Sequence, residues 1–105
     1  MTALAALSAH AALAQFIEGD QVITVEAARD MPDETVVRLQ GRITSRVDDE
    51  EYLFRDATGE VQLWVAPDVW RGVEVSSQDQ VEIIGDVDRD LLGTEINVTS
   101  VRQLD

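Results

Sequence analysis

Two arginines and one tryptophan have the spacing expected of a ligand-binding surface. Arg38 and Arg42 alternate with apolar residues in segment 36–44, and Trp64 does the same in segment 61–65. Because side chains of a strand point alternately to opposite faces, apolar residues that face a core leave these three outside. Arginine beside an exposed tryptophan can hold an anionic or sugar-like ligand by charge-assisted hydrogen bonds and stacking. The alternative is that nearby carboxylates neutralise the arginines and the N-terminal segment covers Trp64.

A fourth candidate, Arg55, lies in the segment between these two. In segment 52–55, Tyr52 and Phe54 are expected to face the core, which leaves Leu53 and Arg55 outside. If the three segments are neighbouring strands, their outer surface is the candidate ligand-binding face. Its candidate contact residues are Arg38, Arg42, Arg55 and Trp64.

The acidic motifs lack the spacing of a metal site or a catalytic site. Aspartates alternate in segment 86–90, but an EF-hand calcium loop also needs glycine and glutamate where this chain has Leu91 and Asn97. The four acids at 48–51 are typical of a solvated loop that also protects strand edges from pairing. Two carboxylates at the spacing of a glycosidase, about 5 to 9.5 Å, would occur by chance among so many acids. We therefore predict no metal site, no cofactor and no enzymatic activity.

Composition excludes several classes of protein. The 105 residues suit one domain, and 21 acidic residues against 8 arginines and no lysine give a formal net charge of −13. Such a charge disfavours nucleic acid, which needs a cationic surface, and docking on an anionic membrane. The chain has no cysteine, and its one histidine, His10, lies near the N-terminus, so a Ser-His-Asp triad in the domain is not expected.

The first fourteen residues differ from the rest, because they carry none of the chain's charged side chains. Residues 12–14 are Ala-Leu-Ala before Gln15, which is typical of a signal-peptidase site, and the run is shorter than the about 20 residues that span a bilayer. We predict a signal peptide at 1–14 and a single domain at 15–105. The basic segment that opens a signal peptide is missing, so the start is either truncated or assigned downstream of the true one. The alternative is an alanine-rich helix of the domain.

The remaining sequence alternates with a period of two in five segments, which predicts five short strands. The segments are 36–44, 52–54, 61–65, 81–87 and 95–98. The sequence Asp-Ala-Thr-Gly at 56–59 predicts a hairpin turn, and residues 88–93 predict another. A glycine in the first segment, Gly41, indicates a bend or a bulge.

Two short helices complete the predicted fold. Thr24 as N-cap and the helix-ending Pro32 predict a helix from about Val25 to Asp30. Residues 67–72 predict one helical turn, with Trp70 in the core. The order favours an all-β, five-stranded OB-fold Greek-key barrel with a short N-terminal helix and a one-turn helix between strands 3 and 4. Periodicity alone leaves a small SH3-like barrel open.

Several short motifs, none specific alone, occur together in a specific order. They are Thr24-Val25, Val37-x-Leu39-x-Gly41-x-Ile43, Tyr52-x-Phe54-x-Asp56-x-Thr58-Gly59, Trp70-x-Gly72, Asp79-x-Val81-x-Ile83-x-Gly85-x-Val87-Asp88-x-Asp90 and Glu95-Ile96-x-Val98. With them the chain resembles the bacterial OB-fold (BOF) family of periplasmic stress-tolerance proteins, of the YgiW/YdeI type. The resemblance implies an exported, non-enzymatic barrel linked to envelope stress, with no settled ligand. Leu91, where relatives tend to have an aromatic residue, and Trp64, where they tend to have a polar one, depart from the pattern.

The sequence thus favours a periplasmic OB-fold binding module that recognises a small ligand or an envelope saccharide through the face of strands 1–3. The alternative is a cytoplasmic nucleic-acid-binding OB domain, which the net charge of −13 disfavours. No insertion into a membrane is expected, and the sequence leaves the oligomeric state open.

Overall fold

The computed structural model describes residues 20–105, so the predicted signal peptide and its helical alternative lie outside the described residues. The elements are β1 (Val22–Ile23), α1 (Val25–Arg29), β2 (Val36–Arg46), β3 (Glu51–Asp56), β4 (Gly59–Trp64), a 3-10 turn (Pro67–Trp70), β5 (Val81–Asp90) and β6 (Gly93–Gln103). None of the helices in the described part has the length and apolar character needed to cross a membrane.

The strands form one sheet in the order β1-β2-β3-β4-β6-β5, which a second pairing of β2 with β5 closes into a barrel. The pairing of β4 with β6 is parallel, whereas β2–β3, β3–β4, β2–β5 and β5–β6 are antiparallel. This is the predicted Greek-key barrel of five strands, with the short helix and the helical turn in their predicted places. The two-residue strand β1 is an addition that the sequence pattern did not predict; it pairs in parallel with β2.

Strand β2 pairs with two different barrel strands along its length. Its residues Val36 to Gly41 pair with β5, and its residues from Arg42 onward pair with β3. At Gly41 an added Cβ would collide with the backbone carbonyl oxygen of Arg55, and at Gly85 it would collide with that of Asn97. Both positions therefore need glycine because a neighbouring backbone occupies the space of a side chain.

The apolar residues of the alternating segments fill the barrel as predicted. The largest fully buried side chains belong to Phe54, Leu39, Leu63, Ile83 and Ile96. Trp70, predicted to lie in the core, is only partly buried and packs against the core from the 3-10 turn. Its ring meets that of Tyr52 edge-on, with centroids 5.4 Å apart. The tryptophan therefore covers one end of the barrel.

One carboxylate, Asp56, joins α1 to the hairpin of β3 and β4. Its Oδ2 accepts a hydrogen bond from the backbone N–H of Val25 (2.8 Å), and its Oδ1 accepts from the N–H groups of Thr58 (2.7 Å) and Gly59 (3.2 Å). Burial raises the pKa of Asp56, but these hydrogen bonds and that from the Thr58 hydroxyl outweigh it, so the pKa is below its usual value. The helix buries Val25 and Ala28 at this point.

The hairpin of β5 and β6 is longer than predicted. The sequence placed a turn at 88–93, but β5 continues through Asp90 and β6 begins at Gly93, so only Leu91 and Leu92 form the turn. Asp90 Oδ1 accepts hydrogen bonds from the N–H groups of Leu92 and Gly93, which closes this turn locally. The aspartates of 86–90 are thus strand residues of the β5–β6 hairpin.

The close approach at Gly85 gives a test of the barrel. We expect Gly85→Ala to lower the free energy of unfolding by about 1–3 kcal/mol, because the added methyl group meets backbone that cannot yield. The matched control is Gly59→Ala, whose Cβ has Val25 Cγ1 at an ordinary 3.8 Å; it should change stability by less than about 0.5 kcal/mol. Urea denaturation measures both, and equal midpoints for the two variants would contradict the packing described here.

Candidate ligand-binding face

The four candidate contact residues lie in three different places on the outer surface. Arg42 and Arg55 are register partners on β2 and β3 and form one of these places. The guanidinium group of Arg42 donates a hydrogen bond to the carbonyl oxygen of Ser77 (3.1 Å). Arg55 lies 3.8 Å from the Glu60 carboxylate, with both side chains largely exposed. Arg55 and Glu60 thus form a weak surface ion pair rather than an open anion site.

Arg38 belongs to a charge network on the other half of the barrel. Its Nη1 and Arg102 Nη2 each lie 2.8 Å from Oε1 of Glu82, while Gln40 donates to Oε2 at 2.9 Å. Glu82 is only 5% exposed, so these donors replace the water that its carboxylate has lost. The hydrogen bonds from Gln40 and Arg102, together with the charges of Arg102 and Arg38, hold the pKa of Glu82 below its usual value. The structure thus realises, for Arg38, the neutralised alternative.

Trp64 points outward, as predicted, but its surroundings are acidic. It ends β4, is 43% exposed and lies opposite Glu51 of β3 in the register. Trp64 lies four residues further along β4 than Glu60, the partner of Arg55, which is about 13 Å at the rise of a strand. The indole borders a shallow hollow of about 310 Å³ that it shares with Glu51 and the acidic loop 48–50. Trp64 and the candidate arginines therefore do not form a single ligand-binding site.

A groove runs beside this hollow, between β4 and the projecting hairpin. Its volume is about 250 Å³. The side chains that line it belong to Glu51, Gln62, Asp90, Leu92, Thr94 and Glu95. Glu51 lines both depressions, so groove and hollow form one continuous surface from Trp64 to the hairpin tip. We call this surface the acidic groove.

Three carboxylates of the acidic groove, those of Glu51, Asp90 and Glu95, make no salt bridge within residues 20–105, although Arg46 donates hydrogen bonds to the carbonyl oxygens of Asp48 and Asp49 in the acidic loop. Burial raises the pKa of Glu95, and the charges of Glu51, Asp88 and Asp90 raise it further. Within residues 20–105, the salt bridges involve other carboxylates, namely Glu60 and Glu82. The same part of the chain contains no group of three histidine, cysteine or acidic side chains arranged to hold a metal ion.

Sequence reasoning missed Gln62, Glu95 and Leu92, which the structure brings to the same surface as Trp64. The predicted fold could have pointed to this region, because OB-folds bind ligands on the face of their second and third strands and on two loops at the ends of that face. In this chain those strands are β3 and β4, and the loops are 47–50 and 91–92. The position of the groove follows from that rule, whereas its lining depends on the register of β4 with β6.

The network around Glu82 makes stability depend on pH. A folded-state pKa below the usual 4.5 means that the ionised carboxylate stabilises the fold above about pH 4.5, and that this contribution is lost as pH falls through the lower value. We expect Glu82→Gln to lower the free energy of unfolding by about 1–3 kcal/mol at pH 7, because the arginines lose a charged acceptor.

The difference between Glu82→Gln and the parent should shrink as the pH is lowered from 4.5 towards about 2, in urea titrations at each pH. Glu74→Gln, which removes an exposed carboxylate, is the control and should match the parent throughout. A deficit of Glu82→Gln that stays constant down to low pH would contradict the charge network.

Comparison with known proteins places this face in context. Residues 5–103 match the family model described as "Bacterial OB fold (BOF) protein". Protein YgiW of Escherichia coli K12 is 41% identical over 83 residues, which are 79% of this chain and 64% of YgiW, so the chain spans just under two thirds of that relative. The calcium-regulated OB-fold protein CarO of Pseudomonas aeruginosa is 41% identical over 78 residues, 74% of this chain and 67% of CarO.

A solved structure is similar as well. The structure of YgiW from E. coli superposes with a TM-score of 0.79 at 40% sequence identity, covering 80% of this chain and 90% of that one. Fold and sequence therefore agree, and the resemblance inferred from the motifs is confirmed. The chain belongs to the bacterial OB-fold (BOF) family.

Proposed function

We propose that this chain is a non-enzymatic binding module of the periplasm, associated with envelope stress tolerance, that recognises an envelope component or a small ligand through the outer face of β3 and β4. The observation that carries the proposal is the 43% exposed indole of Trp64 at one end of the acidic groove. Tryptophan is highly buried on average, and partly exposed tryptophan is enriched at binding interfaces. The groove lies on the face that OB-folds use for ligands.

The surroundings of Trp64 suit recognition without chemistry. The indole face offers a stacking platform, and the Gln62 amide can both donate and accept hydrogen bonds. The carboxylates of Glu51 and Glu95 accept hydrogen bonds from hydroxyl or ammonium groups of a ligand. These contacts serve sugars and amines alike, and we assign no nucleophile to the face.

The same carboxylates disfavour the nucleic-acid alternative. A single strand laid along β3 and β4 would place its phosphates beside Glu51, Glu95 and Asp90. Counterion release, which drives nucleic-acid binding, needs cationic side chains at those positions. Arg38 is engaged with Glu82, so it does not supply that charge to the groove.

Export is tested by expressing the gene from its own upstream region and measuring the intact mass of the protein in the periplasmic fraction. We expect a chain that begins at Gln15, because the uncharged segment 1–14 ends in a signal-peptidase pattern. A full-length protein in the cytoplasmic fraction would contradict the periplasmic proposal and make single-stranded nucleic acid the next ligand to test.

Recognition through the face is tested with a photoreactive benzoylphenylalanine at position 62, inside the groove. Irradiated cells should yield an adduct with an envelope component. The adduct should fall at least tenfold when Trp64→Ala is added, about 1.4 kcal/mol of binding. The matched control is the same substitution at Gln78, which is exposed in the loop before β5.

Stability measurements complete this test. Trp64→Ala should lower the free energy of unfolding by no more than about 1 kcal/mol, because 43% of the residue is exposed. Trp70→Ala should cost about 3 kcal/mol, because that ring packs on Tyr52 and the core. Equal adducts at positions 62 and 78, or comparable unfolding in both tryptophan variants, would overturn the proposed face.

A further inference from the structure

We infer that the ligand of the acidic groove is a short basic amphipathic peptide segment, whose apolar side chains cover Trp64 and Leu92 and whose cationic side chains meet the carboxylates between them. The inference rests on the proposed function, because it names the chemistry of the ligand for the same face. Its support comes from exposed apolar side chains, from the strand register and from charge complementarity.

The apolar side chains at the hairpin end of the acidic groove are exposed to solvent. Leu92, at the tip of the hairpin, is 96% exposed, and Leu91 beside it is fully exposed. Leu92 lines the groove together with Gln62 and also lines a second depression beside Leu53 and Glu60. With Trp64 at the other end, the groove has an uncovered apolar group at each end. Burying such groups contributes roughly 25 cal/mol per Å² of apolar surface.

The register places carboxylates next to apolar side chains on this face. Across the sheet, Leu53 lies opposite Gln62, Gln62 beside Glu95, and Glu95 opposite Asp88. At a strand spacing of about 4.8 Å, this row is roughly 14 Å wide.

The neighbouring row of outward-facing residues also combines an aromatic side chain with carboxylates. Glu51 lies opposite Trp64, Trp64 beside Asn97, and Asn97 opposite Asp86. Both rows end in an acidic residue of β5, but the first begins with the apolar Leu53, whereas the second begins with Glu51 and has Trp64 as its second residue. A ligand that follows the groove meets both kinds of group within one or two residues of its own length.

Charge decides which amphipathic ligand fits. Within residues 20–105, Glu51, Asp90 and Glu95 make no salt bridge, and the pKa of Glu95 is raised by burial and by Glu51, Asp88 and Asp90. An ammonium or guanidinium group placed among them gains attraction at little cost in new desolvation. An anionic or acidic partner would meet repulsion on the same surface.

Two other kinds of cationic ligand would complement fewer of the carboxylates and apolar side chains of this face. A bare divalent metal ion needs several carboxylates converging on one point, and residues 20–105 contain no such arrangement. A linear polyamine would neutralise the carboxylates and leave Trp64 and Leu92 in water. A peptide with alternating basic and apolar side chains supplies both complements, and side chains on opposite sides of an extended backbone can reach both rows.

The test uses the purified chain and a fluorescein-labelled octapeptide of alternating lysine and leucine, followed by fluorescence anisotropy. The comparison ligands are the octapeptide with glutamate in place of lysine, spermine, and an eight-nucleotide oligothymidylate. We expect binding of the lysine peptide and at least tenfold weaker binding of the glutamate peptide and the oligothymidylate. Trp64→Ala and the double variant Glu51→Gln with Glu95→Gln should each weaken lysine-peptide binding at least tenfold.

The matched control for the double variant is Glu26→Gln with Glu74→Gln, which removes the same charge from exposed positions on α1 and in the loop before β5. It should bind the lysine peptide within twofold of the parent. Equal weakening by both double variants would show attraction to the acidic chain as a whole and overturn the site. Spermine that binds as tightly as the peptide, without dependence on Trp64, would also overturn it.

Failure of this inference is distinguishable from failure of the proposed function. If the lysine peptide does not bind but the adduct from position 62 still depends on Trp64, the face is a binding site for another ligand and only the peptide is wrong. If neither is seen, both proposals fail together.

Discussion

The change of partner along β2 is the constraint on which the rest of the structure depends. Its first half pairs with β5 and its second half with β3, and the exchange occurs at Gly41. Because the carbonyl of Arg55 occupies the place of a Cβ there, only the smallest residue lets the three strands meet. Closure of the barrel follows from this contact, and so does the separation of Arg38, in the half of β2 that pairs with β5, from Arg42, in the half that pairs with β3.

That division explains which parts of the site could be predicted. Alternation in the sequence identified the inward and outward residues correctly, as the buried Phe54 and the exposed Trp64 show. It gave no information on lateral neighbours. Arg38 meets a glutamate that is 44 residues away in the chain, and Trp64 meets Glu51 instead of an arginine. Such contacts depend on register, which the pairing of distant strands sets.

The elements were predicted better than their ends. Capping by Thr24 and the alternating segments located the helix and the strands, because both signals are local. The extension of β5 through Asp90 was missed because aspartate is depleted in strands and is common in turns. Pairing with β6 outweighs that preference here, since Asp90 is exposed and its side chain stays in water.

At the hairpin tip, this protein can accept mutations with little loss of stability. Leu91 and Leu92 are held by a local aspartate turn and are almost wholly exposed, so no part of the core depends on which side chains they carry. Mutations at these two positions are nearly free of a folding penalty, yet those at Leu92 alter one wall of the groove. The tip is therefore a place where specificity can diverge between lineages, or be re-engineered in the laboratory, while the barrel remains the same.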